Sequence, residues 1–258
     1  VRLTVVGCSG SYPGPESTAS CYLVEVEGPD GDEGQGSRTW RILLDLGNGS
    51  LGALQRYADA LAIDAVLVSH LHADHCLDLC GYYVMRKYHP DGAPPRIPVY
   101  GPSGIAARMA QAYDLPTDPG MSEEFDFVEY DGAFSVGPFS VEPVPVEHPV
   151  EAYGIRITAN GTTLGYSGDT ALCDGVDRVA ADTALFLCEA SFRAGDDNPP
   201  GVHLTGADAG SVAARAGAQR LLLTHIPPWF DRDAMLVEAR STYAGPVELA
   251  SVGGVHEL

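Results

Sequence analysis

The chain has 258 residues, 45% of them hydrophobic and 19% charged, and its 15 Lys+Arg against 35 Asp+Glu give a formal net charge of −20. That apolar content supports a large buried core and excludes a disordered chain, and no apolar run approaches the roughly 20 residues that span a bilayer. With Lys87 as the single lysine, the acidic field repels a polyphosphate backbone and disfavours long nucleic acid as a partner.

Three strand-like runs open the sequence, Leu3 to Val6, Cys21 to Glu27 and Trp40 to Leu46, rich in β-branched or aromatic residues and bounded by Gly, Pro or Ser. Antiparallel pairing is expected of them. The first residues lack the charged, long-apolar and small-residue regions of a signal peptide, which places the expected protein in the cytoplasm. Gly28 to Ser37 carries no apolar residue and reads as a mobile hairpin tip. Helical spacing at Leu51 to Ala60 precedes a short buried strand, Ala65 to Ser69, that ends directly on His70.

A helix is expected from Leu77 to Tyr88, a strand at Ile97 to Tyr100, and a helix from Ser103 to Tyr113 with the serine as its cap. Strands follow at Phe125 to Tyr130, Phe139 to Val146, Tyr153 to Thr158 and Thr162 to Tyr166. The last third alternates: helix Leu172 to Ala181, strand Ala184 to Cys188, helix Thr205 to Ala216, strand Arg220 to Thr224, helix Arg232 to Tyr243. Runs of strands followed by β/α units in both halves imply two face-to-face sheets with helices outside, in one α/β domain over residues 1–258. The six cysteines show no framework spacing and read as buried reduced thiols. Cys76 and Cys80 have no second pair to complete a thiolate zinc site.

Chemistry concentrates in His70-Leu71-His72-Ala73-Asp74-His75, three imidazoles and a carboxylate where a buried strand turns. Imidazole nitrogen with carboxylate oxygen suits Zn²⁺, Mn²⁺ or Fe rather than Mg²⁺ or Ca²⁺. A catalytic site keeps a position open, and two metals need a bridging group, so further ligands are expected downstream. His148 ends one strand-like run, Asp169 follows a strand that ends in glycine, and His225 ends the buried strand Leu221 to Thr224 just before two prolines. Asp45 and Asp64 also stand near strand ends but lack imidazole neighbours and read as turn or structural residues.

His-x-His-x-Asp-His after a strand, a lone His, a Gly-Asp-Thr and a strand-terminal His resemble the metallo-β-lactamase superfamily through nearly the whole chain. Val6-Gly7-Cys8-Ser9-Gly10-Ser11, Glu189-Ala190-Ser191-Phe192 and His203-Leu204-Thr205 resemble its ribonuclease Z branch. With Ser69 to Leu79, Tyr88-His89-Pro90, Ser167 to Thr170 and Leu223 to Trp229, the likeness is to bacterial members of that branch identified as cyclic-nucleotide phosphodiesterases. The resemblance implies a four-layer αββα sandwich of two mixed sheets with outer helices. It implies two divalent ions, Zn²⁺ foremost with Mn²⁺ or Fe as alternatives: one held by His70, His72 and His148, the other by Asp74, His75 and His225, with Asp169 bridging.

The resemblance also implies a nucleophilic hydroxide between the metals, oriented by Asp74. His203 protonates the departing oxygen or binds a phosphate oxygen, held by Glu189; alternatively it only opens the helix that Thr205 caps. The tRNA-processing members carry a long arm between the lone His and the bridging Asp, whereas 21 positions separate His148 from Asp169 here. The expected substrate is therefore a small phosphodiester, a 3′,5′-cyclic nucleotide, ahead of tRNA 3′-end cleavage and of lactone or acyl-ester hydrolysis. Arg86, Lys87, His89 and Arg96 form a basic cluster that either meets a substrate phosphate or is a solvated helix end. A homodimer is common in the branch; Tyr82 to Met85 either supplies a contact or packs inside.

Overall fold

A computed structural model describes residues 1–30 and 36–258. β1 (Arg2–Gly7), β2 (Cys21–Pro29) and β3 (Ser37–Leu44) pair antiparallel, as their composition implies. β4 (Ala65–Leu67), β5 (Ile97–Gly101) and β6 (Phe125–Glu129) extend the sheet in parallel from β3. The C-terminal β14 (Val255–Glu257) closes the other edge against β1.

The second sheet contains β7 (Phe134–Val136), β8 (Phe139–Val146), β9 (Ala152–Ala159) and β10 (Thr162–Tyr166), paired antiparallel in sequence. Parallel strands β11 (Leu185–Glu189), β12 (Leu221–Thr224) and β13 (Val247–Leu249) complete it. Among the described residues both sheets are therefore mixed and seven-stranded.

The alternation of side chains along each strand divides the core into three layers. Ile42 and Leu44 point inward with Val24, Ile155, Ile157, Leu164 and Leu187 to fill the space between the sheets. Leu43 and Val66 point outward beneath helices α3 (Leu79–Lys87) and α4 (Ile105–Ala112). On the far side, Phe186, Leu221 and Leu223 pack beneath α5 (Asp174–Ala180), α6 (Gly206–Arg215) and α7 (Arg232–Thr242). Each fully buried Leu or Phe contributes about 1.5–3 kcal/mol relative to exposure. Helices outside and sheets inside give the αββα sandwich, and Leu221 to Leu223 reads as an unbroken apolar run because both faces of its strand are covered.

Several boundaries move. The helix expected over Leu51 to Ala60 is only α1 (Ser50–Leu54), followed by a 3-10 turn at Ala60–Ala62. Ser103 does not cap α4: its hydroxyl donates to Glu151, and Gly104 at φ 78° occupies the cap. Tyr82 and Tyr83 are buried against the first sheet's outer face, so that part of the Tyr82 to Met85 stretch packs inside. Gly28 and Pro29 pair with Arg38 and Ser37, whereas the rest of the expected hairpin tip, 31–35, lies outside the described residues. The cysteines are free thiols, four of them buried. Among the described residues no helix is long and apolar enough to cross a membrane.

In each sheet the strands whose ends carry polar residues run the same way, so their C-terminal ends gather at one edge, where α/β folds place their sites. Asp45 follows β3, His70 follows β4, and His148 and Asp169 follow β8 and β10. Glu189 ends β11 and His225 follows β12.

Candidate metal centre

The frame His70 to His75 crosses from β4 into a single-turn helix, α2 (Ala73–Cys76), which turns its side chains toward one point. The loop is tied to the second sheet by the Tyr153 N–H, which donates to the Ser69 carbonyl at 2.9 Å. His148 arrives from β8, and its Nδ1–H donates to the Val202 carbonyl at 2.8 Å, leaving Nε2 free. Asp169 is delivered by Gly168 at φ 58°, where a Cβ would meet the Tyr153 carbonyl at 2.8 Å. Of six non-glycine residues with left-handed backbone among those described, Ser11, Asp45 and His225 belong to this edge. Such concentration of strain is characteristic of functional sites.

All seven expected ligands converge. The donor atoms of His70, His72 and His148 lie within 4.8 Å of one another, and those of Asp74, His75, Asp169 and His225 do the same. Asp169 faces both groups: Oδ2 is 3.7 Å from His70 Nε2, and Oδ1 is 3.3 Å from His75 Nε2. A helix cap is not its role, since α5 begins only at Asp174.

The hydrogen-bond network assigns the imidazole tautomers. Asp45, absent from the expected site, is wholly buried and accepts from His75 Nδ1 at 2.7 Å, from the Tyr166 hydroxyl at 2.6 Å and from the Ser69 hydroxyl at 2.8 Å. Having donated to Asp45, the Ser69 hydroxyl accepts from His70 Nδ1 at 3.1 Å. On the other side, the Ser191 hydroxyl donates to the His225 carbonyl and accepts from its Nδ1, both at 2.8 Å. His75 Nε2 and His225 Nε2 then present lone pairs to each other across 3.1 Å.

Two facing lone pairs beside ionised Asp74 and a buried Asp169 Oδ1 with no hydrogen-bond partner fit a cation. His70 Nε2, His72 Nδ1 and His148 Nε2 converge in the same way, at 3.0 and 3.2 Å. The donor chemistry of both groups fits divalent metal ions.

Charge follows the same division. Burial pushes His70 well below its ordinary pKa, with His75 reinforcing it, and burial also lowers His72 and His148. Burial opposes the ionised forms of Asp74 and Asp169, but the surrounding imidazoles hold both carboxyls well below the usual range. Burial also opposes a proton on His75, yet Asp169 and Asp45 raise it well above normal.

His203 sits beside the cluster with Nδ1 3.0 Å from Glu189 Oε1 and its ring edge-on to Phe192. Burial pulls its pKa down, but Glu189 prevails and raises it to about 9. The wholly buried Glu189 also accepts from the Thr170 N–H, tying its own strand end to the Asp169 loop, and from the N–H of Ser191 two residues on. Thr205 caps α6 in a capping box with Asp208, so helix entry and the placement of His203 are served by adjacent residues.

The expected basic cluster does not reach this edge as free charge. Arg86 is buried and donates to the Pro95 and Glu124 carbonyls. Lys87 pairs with Glu123 and Glu124 and Arg96 with Asp126, while His89 Nδ1 accepts from the Asp91 N–H at 3.3 Å. Asp64 is structural as expected, held by Arg38 and the Arg41 N–H. Asp45, read from the sequence as a turn or structural residue, instead supports the imidazoles of the cluster, and Ser69 and Ser191 had been given no role of their own. The signal for Asp45 was the one that marked Asp169, a carboxylate where a buried strand ends.

The sequence matches the family model of the Beta-lactamase superfamily domain over residues 40–226. An uncharacterized Mycobacterium tuberculosis protein is 44% identical over 253 residues, covering 96% of this chain and 88% of that protein. Ribonuclease Z of Myxococcus xanthus is 27% identical over 320 aligned positions, covering 100% of this chain and 98% of that protein. The crystal structure of a metallo-β-lactamase fold protein from Bacillus subtilis superposes with a TM-score of 0.84 at 28% identity, covering 100% of this chain and 99% of the other.

Proposed function

This chain belongs to the metallo-β-lactamase superfamily, in its ribonuclease Z-like branch, and from that premise we propose that it is a binuclear metal-dependent phosphodiesterase acting on 3′,5′-cyclic nucleotides. One observation carries the reading: seven imidazole and carboxylate donors fall into two groups that share Asp169, with the Glu189-supported His203 at their side. His70, His72 and His148 would hold one ion and Asp74, His75 and His225 the other, and nitrogen-rich ligation favours Zn²⁺, with Mn²⁺ or Fe as alternatives. When bound, such a pair supplies Lewis acidity toward a phosphoryl group and a water of lowered pKa.

The protein's own residues supply the rest. Asp74, held ionised by the imidazoles of His225 and His75, would orient the attacking water. His203, protonated through Glu189, donates its proton to the departing oxygen or hydrogen-bonds a phosphate oxygen. The wholly buried Glu189, 3.0 Å from Nδ1, keeps the imidazole aimed.

A small substrate is favoured over tRNA. The Myxococcus ribonuclease Z aligns over 320 positions against the 258 residues here, so that relative carries additional inserted chain. Between His148 and Asp169 this chain has only β9, β10 and their connections. The net charge of −20 and the paired state of Arg86, Lys87 and Arg96 leave little to neutralise a run of phosphates.

Protein loaded with Zn²⁺ or Mn²⁺ is expected to hydrolyse bis(p-nitrophenyl) phosphate and to convert cyclic AMP to AMP, and Asp169→Ala is expected to abolish both. Activity retained by that variant contradicts the bridging carboxylate. Cleavage of a precursor tRNA with cyclic AMP left intact reverses the choice of substrate.

A further inference from the structure

Four large apolar side chains stand exposed on the segments that supply or touch the donor cluster: Tyr12 at 41%, Val150 at 39%, Leu172 at 47% and Trp229 at 59%. Each lies on a segment that carries or touches a donor. Trp229 follows His225, Leu172 follows Asp169, and Val150 follows His148, all within four residues. Tyr12 adjoins Ser11, whose N–H lies 3.4 Å from His225 Nε2. In a chain this acidic, an apolar rim around a polar centre points to a ligand that brings both kinds of surface.

Within the rim the two aromatic residues form a unit. The rings of Tyr12 and Trp229 lie 5.2 Å apart at 33°, with Phe230 behind the indole at 6.0 Å. Their loops are joined by the Gly10 N–H, which donates to the Ile226 carbonyl at 3.2 Å, and by a bridge between Ser9 and Ile226. Close approach is enforced at Gly10, where a Cβ would meet the His225 carbonyl at 2.2 Å. The pair is thus anchored to the backbone that positions His225. The cation–π contacts among the described residues involve Trp40, Tyr82, Tyr83 and Phe125, so no guanidinium or ammonium covers the Trp229 ring.

We propose that Tyr12 and Trp229 form the platform on which the substrate's nucleobase stacks while its phosphodiester reaches the donor cluster. The inference rests on the phosphodiesterase reading and adds the group that the enzyme recognises. An exposed indole offers a flat π-surface to any base, and the larger overlap of a purine makes adenine and guanine the preferred occupants. An aliphatic acyl chain needs an enclosed apolar channel, whereas this rim is open to solvent at each of its four members.

The chain has two tryptophans, and Trp40 is remote from the site, its indole N–H donating to the Pro29 carbonyl and its ring covered by Arg38. A Zn²⁺-loaded Trp40→Phe variant therefore reports on Trp229 alone. AMP is expected to quench its fluorescence saturably, and ribose 5-phosphate, which has the phosphate and sugar but no base, is expected not to. In kinetics, Trp229→Ala should lower kcat/KM for cyclic AMP on the order of ten-fold, mainly through KM. It should leave the base-free 3′,5′-cyclic phosphate of methyl riboside unchanged, and Trp229→Phe should restore most of the loss. Equal quenching by both monophosphates, or equal losses on both substrates, overturns the platform. If the wild-type chain turns over neither substrate, the phosphodiesterase reading falls and takes the platform with it.

Discussion

Oδ2 of Asp45 lies 2.7 Å from Nδ1 of His75, and both side chains are wholly buried. Through the Ser69 hydroxyl the same carboxylate also reaches His70. One residue with no donor atom facing the cluster thereby fixes an imidazole in each of its two halves. Metal-binding histidines commonly depend on such a partner for ring orientation and basicity.

Asp45→Asn keeps the shape but replaces an acceptor oxygen with an NH₂ group facing three donors. Zinc affinity, measured by competition with a chelating dye, is expected to fall about 10- to 100-fold, with both ions affected. Asp64→Asn, which disturbs only the contacts to Arg38 and Arg41, should leave affinity unchanged. Unaltered zinc binding in Asp45→Asn counts against the role given to this carboxylate.

Ser69→Ala separates the two halves. It removes the link from Asp45 to His70 but spares the direct contact to His75. One zinc should weaken by about ten-fold while the other holds, giving a biphasic titration in which wild type gives a single tight phase. A uniform loss of both ions is the contrary result.

His203→Ala leaves the seven donors in place and is expected to lower kcat by about 10²- to 10⁴-fold with full metal content. Glu189→Gln should produce a smaller loss in kcat, because the ring keeps a neutral hydrogen-bond partner but loses the carboxylate that favours its proton. Metal analysis alongside steady-state kinetics tests both: depleted zinc in His203→Ala makes it a ligand rather than a proton donor.

Arg86 is expected to matter for stability alone. Arg86→Met strands the Pro95 and Glu124 carbonyls that the guanidinium satisfies and should cost about 2–4 kcal/mol in chemical denaturation. KM of the folded variant should match wild type. Raised KM with intact stability would instead restore the basic cluster as a phosphate contact.

Much of this protein is legible along one dimension. The ligand frame His70 to His75 is contiguous, and His148, Asp169 and His225 share one local pattern, a buried strand followed by a polar residue at a sharp turn. The strand periods that separate Ile42 and Leu44 from Leu43 likewise need only nearest neighbours in sequence. Such features are set by local backbone geometry and by which face of an element is apolar, and composition records both.

Tertiary structure decided what depends on pairing across the chain. β7, β13 and β14 have three residues each, too few for a period, and exist because a neighbouring edge accepts their hydrogen bonds. Ser103 turns to Glu151 because the second sheet brings that carboxylate within reach. Asp45 and Asp64 look alike in sequence, yet one is sealed against His75 and the other holds two arginines. Tyr12 meets Trp229 only because the edge of the sandwich returns two distant loops to the same place. A side chain's role is set by the free energy of its contacts, and for these residues the partners lie far away along the chain.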